Sequence, residues 1–299
     1  MLTQSVIAAT IMSVVMSVSA RMLNEYPFLM AHDAGSGYLD RTHVVADWTK
    51  TQSVGLAGQL QCGARAFDYR PYYEDGTLFV HHGGVVIHTP MQQSLDEITT
   101  WASSNPENEL VLIFLTACDG ANGCKDAAIS LTEDNGIKVI TDCSQLTGLT
   151  YEDALSMSSL TGGGNALAVY DCMESHYDST INCYGKGYAC YNNTWFTETT
   201  GPPWEQMTEY ALATSAEPPP SNGNLWMIQT HWQSDAASIT LGTLHKSSLL
   251  IDEEKSMINA WTAEQIELGA FKYMNMVEVD YVCDAGPRIL NALRNSALS

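Results

Sequence analysis

The chain reads as an α/β protein: a (β/α) barrel of TIM type, regular or irregular, forming a single domain with a cysteine-rich loop insertion. Three observations predict this. About seven or eight short apolar runs alternate with helical patterns, as parallel βα units do. The longest run, Glu109 to Thr116, is apolar between its ends, like a strand buried on both faces. The long strand candidates also lack Pro, which central strands exclude. A doubly wound open sheet is the alternative, but no Gly-rich phosphate loop follows the first strand.

In chain order, Tyr26 to His32 is the first strand, and Val54 to Leu60 is a short helix ending near Gly63. Ala64 to Tyr69 is the second strand, and Leu78 to His82 is a brief strand beyond the turn Glu74-Asp75-Gly76-Thr77. Met91, Leu95, Ile98 and Trp101 recur at helical spacing, so Pro90 to Ser104 is an amphipathic helix opened by Pro90. Ile137 to Ile140 and Ala166 to Tyr170 are further strands, and between them Thr150, with Glu152 and Asp153, opens a helix. Cys172 to Gly201 shows no period. Pro202 to Ala216 is helical, Leu225 to Gln229 and Met276 to Val279 are the last strands, Ser248 to Ala270 is a helix between them, and Pro287 to Leu298 closes the chain.

The uncharged run Val6 to Val18, followed by Val18-Ser19-Ala20, reads as a signal peptide over residues 1–20, cleaved after Ala20, with the barrel domain over 21–299. The expectation is a soluble, secreted, extracellular monomer. All eight cysteines follow the cleavage site, as in an oxidising compartment, and none forms a paired CxxC of the kind that holds zinc. Eight cysteines allow 105 pairings. Two local bridges are expected, Cys118 with Cys124, and Cys183 with either Cys172 or Cys190. Asn192-Asn193-Thr194 is a glycosylation sequon in the same stretch. The net charge of −21 excludes nucleic acid as a partner and argues for at most transient contact with acidic membranes.

Three short pieces carry the chemistry: His32-Asp33, Asp68-Tyr69-Arg70 and His81-His82-Gly83, each following a strand-like run. Strand ends are where a barrel gathers its reactive groups. A histidine pair can take a proton from one oxygen and return it to another. An arginine between them suits phosphate, because its planar fork of donors matches two oxygens. Asp68 and Arg70 are two apart on a mostly buried strand and share a face, so the arginine waits for an anion. His81 and His82 point to opposite faces, and Gly83 permits close approach there. His82 is the choice, with His81 the alternative. The set points to phosphoryl transfer without metal or cofactor.

These residues carry a resemblance. Leu29-Met30-Ala31-His32-Asp33, then Gly63-Ala64-Arg65-Ala66-Phe67-Asp68-Tyr69-Arg70-Pro71, then His81-His82-Gly83, resembles the phosphatidylinositol-specific phospholipase C X-domain family. Asn105-Pro106-Glu107-Asn108-Glu109-Leu110-Val111-Leu112-Ile113 resembles the helix-to-strand passage that follows, and Val279-Asp280-Tyr281 a late strand carrying an aspartate. The likeness spans about residues 26 to 118. It implies a distorted barrel and cleavage of a phosphodiester by an internal hydroxyl. His32 would be the base, supported by Asp280; His82, coupled to Asp33, the acid; Arg70 would neutralise the phosphoryl oxygens, with Asp68 holding the cluster. Phe67 stands where calcium-binding members carry an acid, so the match is to the metal-independent bacterial type.

Two positions depart from that type. Bacterial members carry a basic residue for inositol where this strand ends Thr116-Ala117-Cys118-Asp119, and the fifth strand, Ala168-Val169-Tyr170-Asp171, lacks the expected arginine. Asp119 and Trp232 stand as substrate-binding candidates, Trp232 as an aromatic platform for a sugar-like ring or else as core. The leading reading is a secreted phospholipase C-type phosphodiesterase acting on a phosphatidylinositol, a glycosylated inositol lipid or a related soluble diester. The alternatives are a metal-dependent barrel hydrolase with His32, Asp33, Asp68 and His82 as ligands, and a secreted binding protein on a degenerate barrel of this family.

Overall fold

The apolar run before Cys118 becomes a central strand of a parallel sheet. The computed structural model describes residues 21–40, 44–106, 109–174, 190–191, 202–234 and 236–297. Its strands are β1 (Phe28–Ala31), β2 (Ala66–Tyr69), β3 (Pro71–Glu74), β4 (Thr77–His82), β5 (Val85–Ile87), β6 (Leu110–Leu115), β7 (Asp119–Gly120), β8 (Lys138–Ile140), β9 (Asn165–Tyr170), β10 (Met173–Glu174), β11 (Cys190–Tyr191), β12 (Leu225–Gln229), β13 (Gln233–Ser234) and β14 (Met276–Val279). Its helices are α1 (Val44–Thr49), α2 (Leu56–Gln61), α3 (Met91–Ser104), α4 (Cys124–Asp134), α5 (Tyr151–Met157), α6 (Pro202–Ala216), α7 (Ala236–Leu244), α8 (Leu249–Ser256), α9 (Ile258–Glu267) and α10 (Gly286–Ala297).

Eight strands pair in the order β10-β12-β14-β1-β2-β6-β9-β8, every neighbour parallel. The expected α/β barrel is therefore present in irregular form. β8 precedes β9 in sequence but sits outside it, and among the described residues no pairing joins β8 to β10. Strand parity divides the core. Leu29, Ala31, Phe67, Tyr69, Val277 and Val279 pack against Leu60, Leu95, Ile266 and Ile289 of the surrounding helices. Their neighbours Phe28, Met30, Ala66, Leu112, Val169 and Met276 form a second cluster on the opposite face. Side chains two apart share a face. His32 therefore follows Met30, Asp68 follows Ala66, and Glu278 and Asp280 follow Met276 into the barrel.

Leu78 to His82 is a strand, as expected, but not one of the barrel. β4 lies in a separate sheet of order β5-β4-β3-β7, antiparallel to both β3 and β5. The turn before it is a two-residue loop in which Asp75 (φ 47°) and Gly76 (φ 78°) are both left-handed, as a tight hairpin requires. Helix α3 starts after Pro90 and buries Met91, Leu95 and Ile98, and Thr150 caps α5 by accepting from the Asp153 N–H.

Three readings need correction. Ser248 to Ala270 is two helices, broken at Met257 (φ 58°). The Ser256 hydroxyl accepts from the Ile258 N–H and from Trp232 Nε1, supplying side-chain bonds where a continuous helix would use its backbone. Cys172 pairs with Cys143, not Cys183, and Cys62 pairs with Cys283 across 221 residues, while the Cys118–Cys124 bridge is as expected. Helices α1, α4 and α7 had no sequence counterpart; α4 buries only Cys124, Ala128 and Thr132, too faint an apolar stripe to read. Residues 1–20, Cys183 and the sequon at Asn192 lie outside the described residues. Among the described residues no helix is long and apolar enough to cross a membrane.

Candidate active site

Six of the nine sequence candidates, counting His81 as the alternative to His82, meet at the carboxyl ends of β1, β2 and β14. β1 ends at Ala31, and Asp33 takes a left-handed conformation (φ 42°, ψ 50°) that opens a short 3-10 turn. Its N–H donates to Asp68 Oδ2 at 3.1 Å, which turns the chain across β2. Gly35 follows in that turn. A Cβ there would lie 2.8 Å from Val80 Cβ, so only glycine lets the turn press against β4. This contact brings hairpin-borne His82 to barrel-borne Asp33.

Asp33 is the hub. Its Oδ2 lies 3.1 Å from His32 Nε2 and 3.1 Å from His82 Nε2, and its Oδ1 lies 2.9 Å from Arg70 Nε. Arg70 Nη2 donates to Asp68 Oδ2 at 2.6 Å. The far nitrogen of each ring is also committed. His32 Nδ1 is 2.7 Å from Asp280 Oδ1, and His82 Nδ1 donates to the Thr49 carbonyl at 2.6 Å. That second bond fixes which nitrogen carries the permanent proton, so both Nε2 atoms are left for chemistry at one place. The backbone above is locked: Thr51 Oγ1 and Gln52 Nε2 donate to the His32 carbonyl, and Gln52 Nε2 also reaches Val279 O on β14.

Burial sets the electrostatics. It holds the His32 imidazolium well below the usual histidine range, aided by the positive charges of His231, Arg70 and His82. It pushes Asp280 well above the usual carboxylate range, reinforced by Glu253, Asp33 and Glu278. Asp33 is raised by burial too, against the pull of His82 and Arg70. A neutral imidazole backed by a carboxylate is a competent base, and a desolvated carboxylate between two rings can stabilise whichever is protonated.

The remaining candidates do not join the cluster. Trp232 is 1% exposed, donates through Nε1 to Ser256 and packs near Trp204, so its ring is core and offers no platform. Asp119 is exposed on β7, paired with the hairpin strand β3, and its Oδ1 accepts from the adjacent Gly120 N–H. His81 faces away from the cluster, its ring set between Gly83 O and Ala117 O.

Sequence reasoning missed His231 and Glu278. The His231 ring stacks on His32 at 4.0 Å with 16° between planes, and its Nε2 lies 3.1 Å from Glu278 Oε2. For Glu278 the signal was available: Glu278 and Asp280 are two apart on and just past a buried strand and must share a face. Two donor sets could geometrically approach a metal, His32–His231–Asp280 and His32–Asp33–Asp68. Neither fits one well. Stacked rings cannot both aim in-plane lone pairs at one ion, and Arg70 already occupies Asp33 and Asp68.

No family model matches the chain. A 1-phosphatidylinositol phosphodiesterase of Staphylococcus aureus strain Newman is 34% identical over 83 residues, 27% of this chain and 26% of that protein. The same enzyme of a second strain matches at 34% identity over 25% of its length. The chain thus aligns with about a quarter of the length of the curated relatives it matches. Solved structures match almost end to end. A phosphatidylinositol-specific phospholipase C from Staphylococcus aureus superposes with TM-score 0.62 at 19% identity, covering 92% of this chain and 93% of that one. The enzyme from Listeria monocytogenes gives 0.56 at 13% identity, covering 92% and 94%. At such identities the likeness is one of fold: the irregular parallel barrel is shared.

Proposed function

We propose that this chain is a metal-independent phosphodiesterase of phospholipase C type, cleaving a phosphatidylinositol-like diester by attack of a neighbouring hydroxyl. The observation that carries the reading is the meeting of His32 Nε2 and His82 Nε2 on one Asp33 oxygen beside Arg70. His32 Nε2 takes the proton of the attacking ring hydroxyl, with Asp280 balancing the imidazolium. The new P–O bond forms as the bond to the lipid alkoxide breaks. His82 Nε2–H gives that alkoxide its proton, and Arg70 neutralises the non-bridging oxygens. The products are a cyclic phosphate and a free alcohol, and both histidines exchange protonation states.

A lipid as leaving group is supported by apolar side chains exposed at the same end of the sheet. Val45 of α1 is 59% exposed, and Leu241 and Leu244 of α7 are 40% and 74% exposed. Trp48 Nε1 donates to Thr243 Oγ1, joining these two helices. The acidic surface favours neutral or zwitterionic bilayers over anionic ones. Secretion after removal of residues 1–20, and glycosylation at Asn192, belong to the same proposal.

The test is cleavage of phosphatidylinositol in mixed phosphatidylcholine vesicles, with and without chelator, read by phosphorus NMR. A cyclic inositol phosphate formed in chelator and lost in His32→Ala and His82→Ala supports the reading. No cleavage of this lipid or of a soluble inositol phosphodiester would leave a binding protein as the better account.

A further inference from the structure

Behind the base lies a second histidine that the proposed reaction does not use. His231, two residues past Gln229 of β12, is fully buried with its ring parallel to that of His32 at 4.0 Å. It stands between two carboxylates of β14. Its Nε2 is 3.1 Å from Glu278 Oε2, which also accepts from Gln229 Nε2, and its Nδ1 faces Asp280 Oδ2 at 3.9 Å. Asp280 therefore has one oxygen on the His32 ring and the other turned towards the His231 ring.

We propose that His231 is a positioning residue for His32: stacked on its ring and set between Glu278 and Asp280, it fixes the plane of the base and divides the charge of Asp280. The inference rests on His32 being the base. Two physical consequences follow. The stack removes ring rotation that would swing Nε2 off the attacking hydroxyl, where a displacement of about 1 Å costs catalysis heavily. A carboxylate shared between two imidazoles also supports the positive charge of each less than it would support one alone. His231 thus keeps His32 a weaker base that is neutral and ready at moderately acidic pH. The titratable or charged groups around the pair are Asp33 next to β1, Asp68 of β2 with Arg70 after it, His82 of β4, Glu278 and Asp280 on or after β14, Glu253 of α8 and Tyr210 of α6.

The decisive variant is His231→Phe, which keeps a stacked ring but has no nitrogen for either carboxylate. Its kcat should fall about tenfold with KM changed less than twofold, as expected when an interaction matters only in the transition state. The acid limb of its kcat/KM profile should move up by about half a pH unit or more, since Asp280 then serves His32 alone. In parallel, the His32 ring is titrated by carbon NMR in substrate-free wild type and variant, where the same upward movement is expected. An acid limb and a His32 titration both unmoved would overturn the proposal, leaving His231 as core. Should the Phe variant not fold, His231→Gln keeps a donor for Glu278 and removes the ring, and is judged on the same titration. If the wild type cleaves no phosphodiester, the functional reading fails, yet the NMR titration still decides whether His231 controls His32.

Discussion

His32 and His82 meet the same Asp33 oxygen from two unlike parts of the molecule. His32 stands just past a strand of the parallel sheet with 4% of its side chain exposed, backed by Asp280 at 0%. His82 stands on the antiparallel hairpin with 25% exposed, and Arg70, at the start of that hairpin, has 21%. The buried half is fixed by strand register and by crossing bonds from Thr51 and Gln52. The hairpin half is held by the close approach of Gly35 to Val80 and by side-chain bonds such as His82 Nδ1 to the Thr49 carbonyl. A base must be held neutral and aligned, which burial achieves. An acid must release its proton to a departing alkoxide and later recover one from water, which burial would impede.

This contrast can be broken most strongly at the histidines. Replacing either by alanine should lower kcat by about 10³-fold or more on a lipid diester, within the range of lost acid–base catalysis. The halves then separate by leaving group. With a nitrophenolate leaving group, which needs no proton, His82→Ala should recover most of its activity while His32→Ala stays inactive. Equal recovery in both, followed by release of nitrophenolate, would overturn the division of roles.

The next effect is on stability. Cys62–Cys283 ties the end of α2 to the segment just beyond Asp280 across 221 residues, whereas Cys118–Cys124 closes 6 residues beside the hairpin sheet. On a chain-entropy view the long loop matters more. Removing the first bridge by double alanine substitution should cost about 5 kcal/mol and the second about 2 kcal/mol, measured by denaturant unfolding. Similar costs for both would mean that the buried half is no more dependent on its staple than the hairpin.

Arg70→Lys probes the junction of the halves. Arg70 grips both oxygens of Asp68, Nε to Oδ1 at 3.2 Å and Nη2 to Oδ2 at 2.6 Å, with Asp33 Oδ1 at 2.9 Å from Nε as an ion pair, and a lysine ammonium cannot reproduce that fork. An approximately 10²-fold fall in kcat is expected, with folding intact by circular dichroism. A variant within a fewfold of wild type would mean that the fork does not orient the phosphate.

Much of the buried half was legible in the sequence because a two-residue period on an apolar strand assigns faces without knowledge of the fold. Asp68 with Arg70, and Asp280 at the end of Met276 to Val279, follow from that rule. His231 did not, because a lone histidine after Gln229 carries no local sign that β12 pairs with β14 and lays its ring on His32. The hairpin half was legible as a strand but not as a separate sheet, since alternation is the same in both settings and only pairing distinguishes them. Trp232 shows the limit from the other side: an aromatic beside a site looks the same in sequence whether it faces a sugar or Ser256.

The smallest predicted effect concerns what the buried half costs the fold. Glu253 of α8 is fully buried near the Trp232 N–H, and burial, reinforced by Asp284 and Asp252, raises its carboxyl well above the usual range. A raised folded-state value means that the folded protein holds a proton which the unfolded chain releases at about pH 4.3. Stability is then full below that pH and eroded as pH rises through the folded value. Glu253→Gln keeps the shape and removes the titration, so it should stabilise the protein by about 1–2 kcal/mol at pH 7 and by almost nothing at pH 4. Thermal unfolding at the two pH values reads this directly. A gain at pH 7 with unchanged kcat would mean that Glu253 is carried at a cost unrelated to the base. A gain accompanied by a shifted acid limb would make the buried acids, Glu253 and Glu278 with Asp280, a single reservoir of charge behind His32, with no counterpart behind His82.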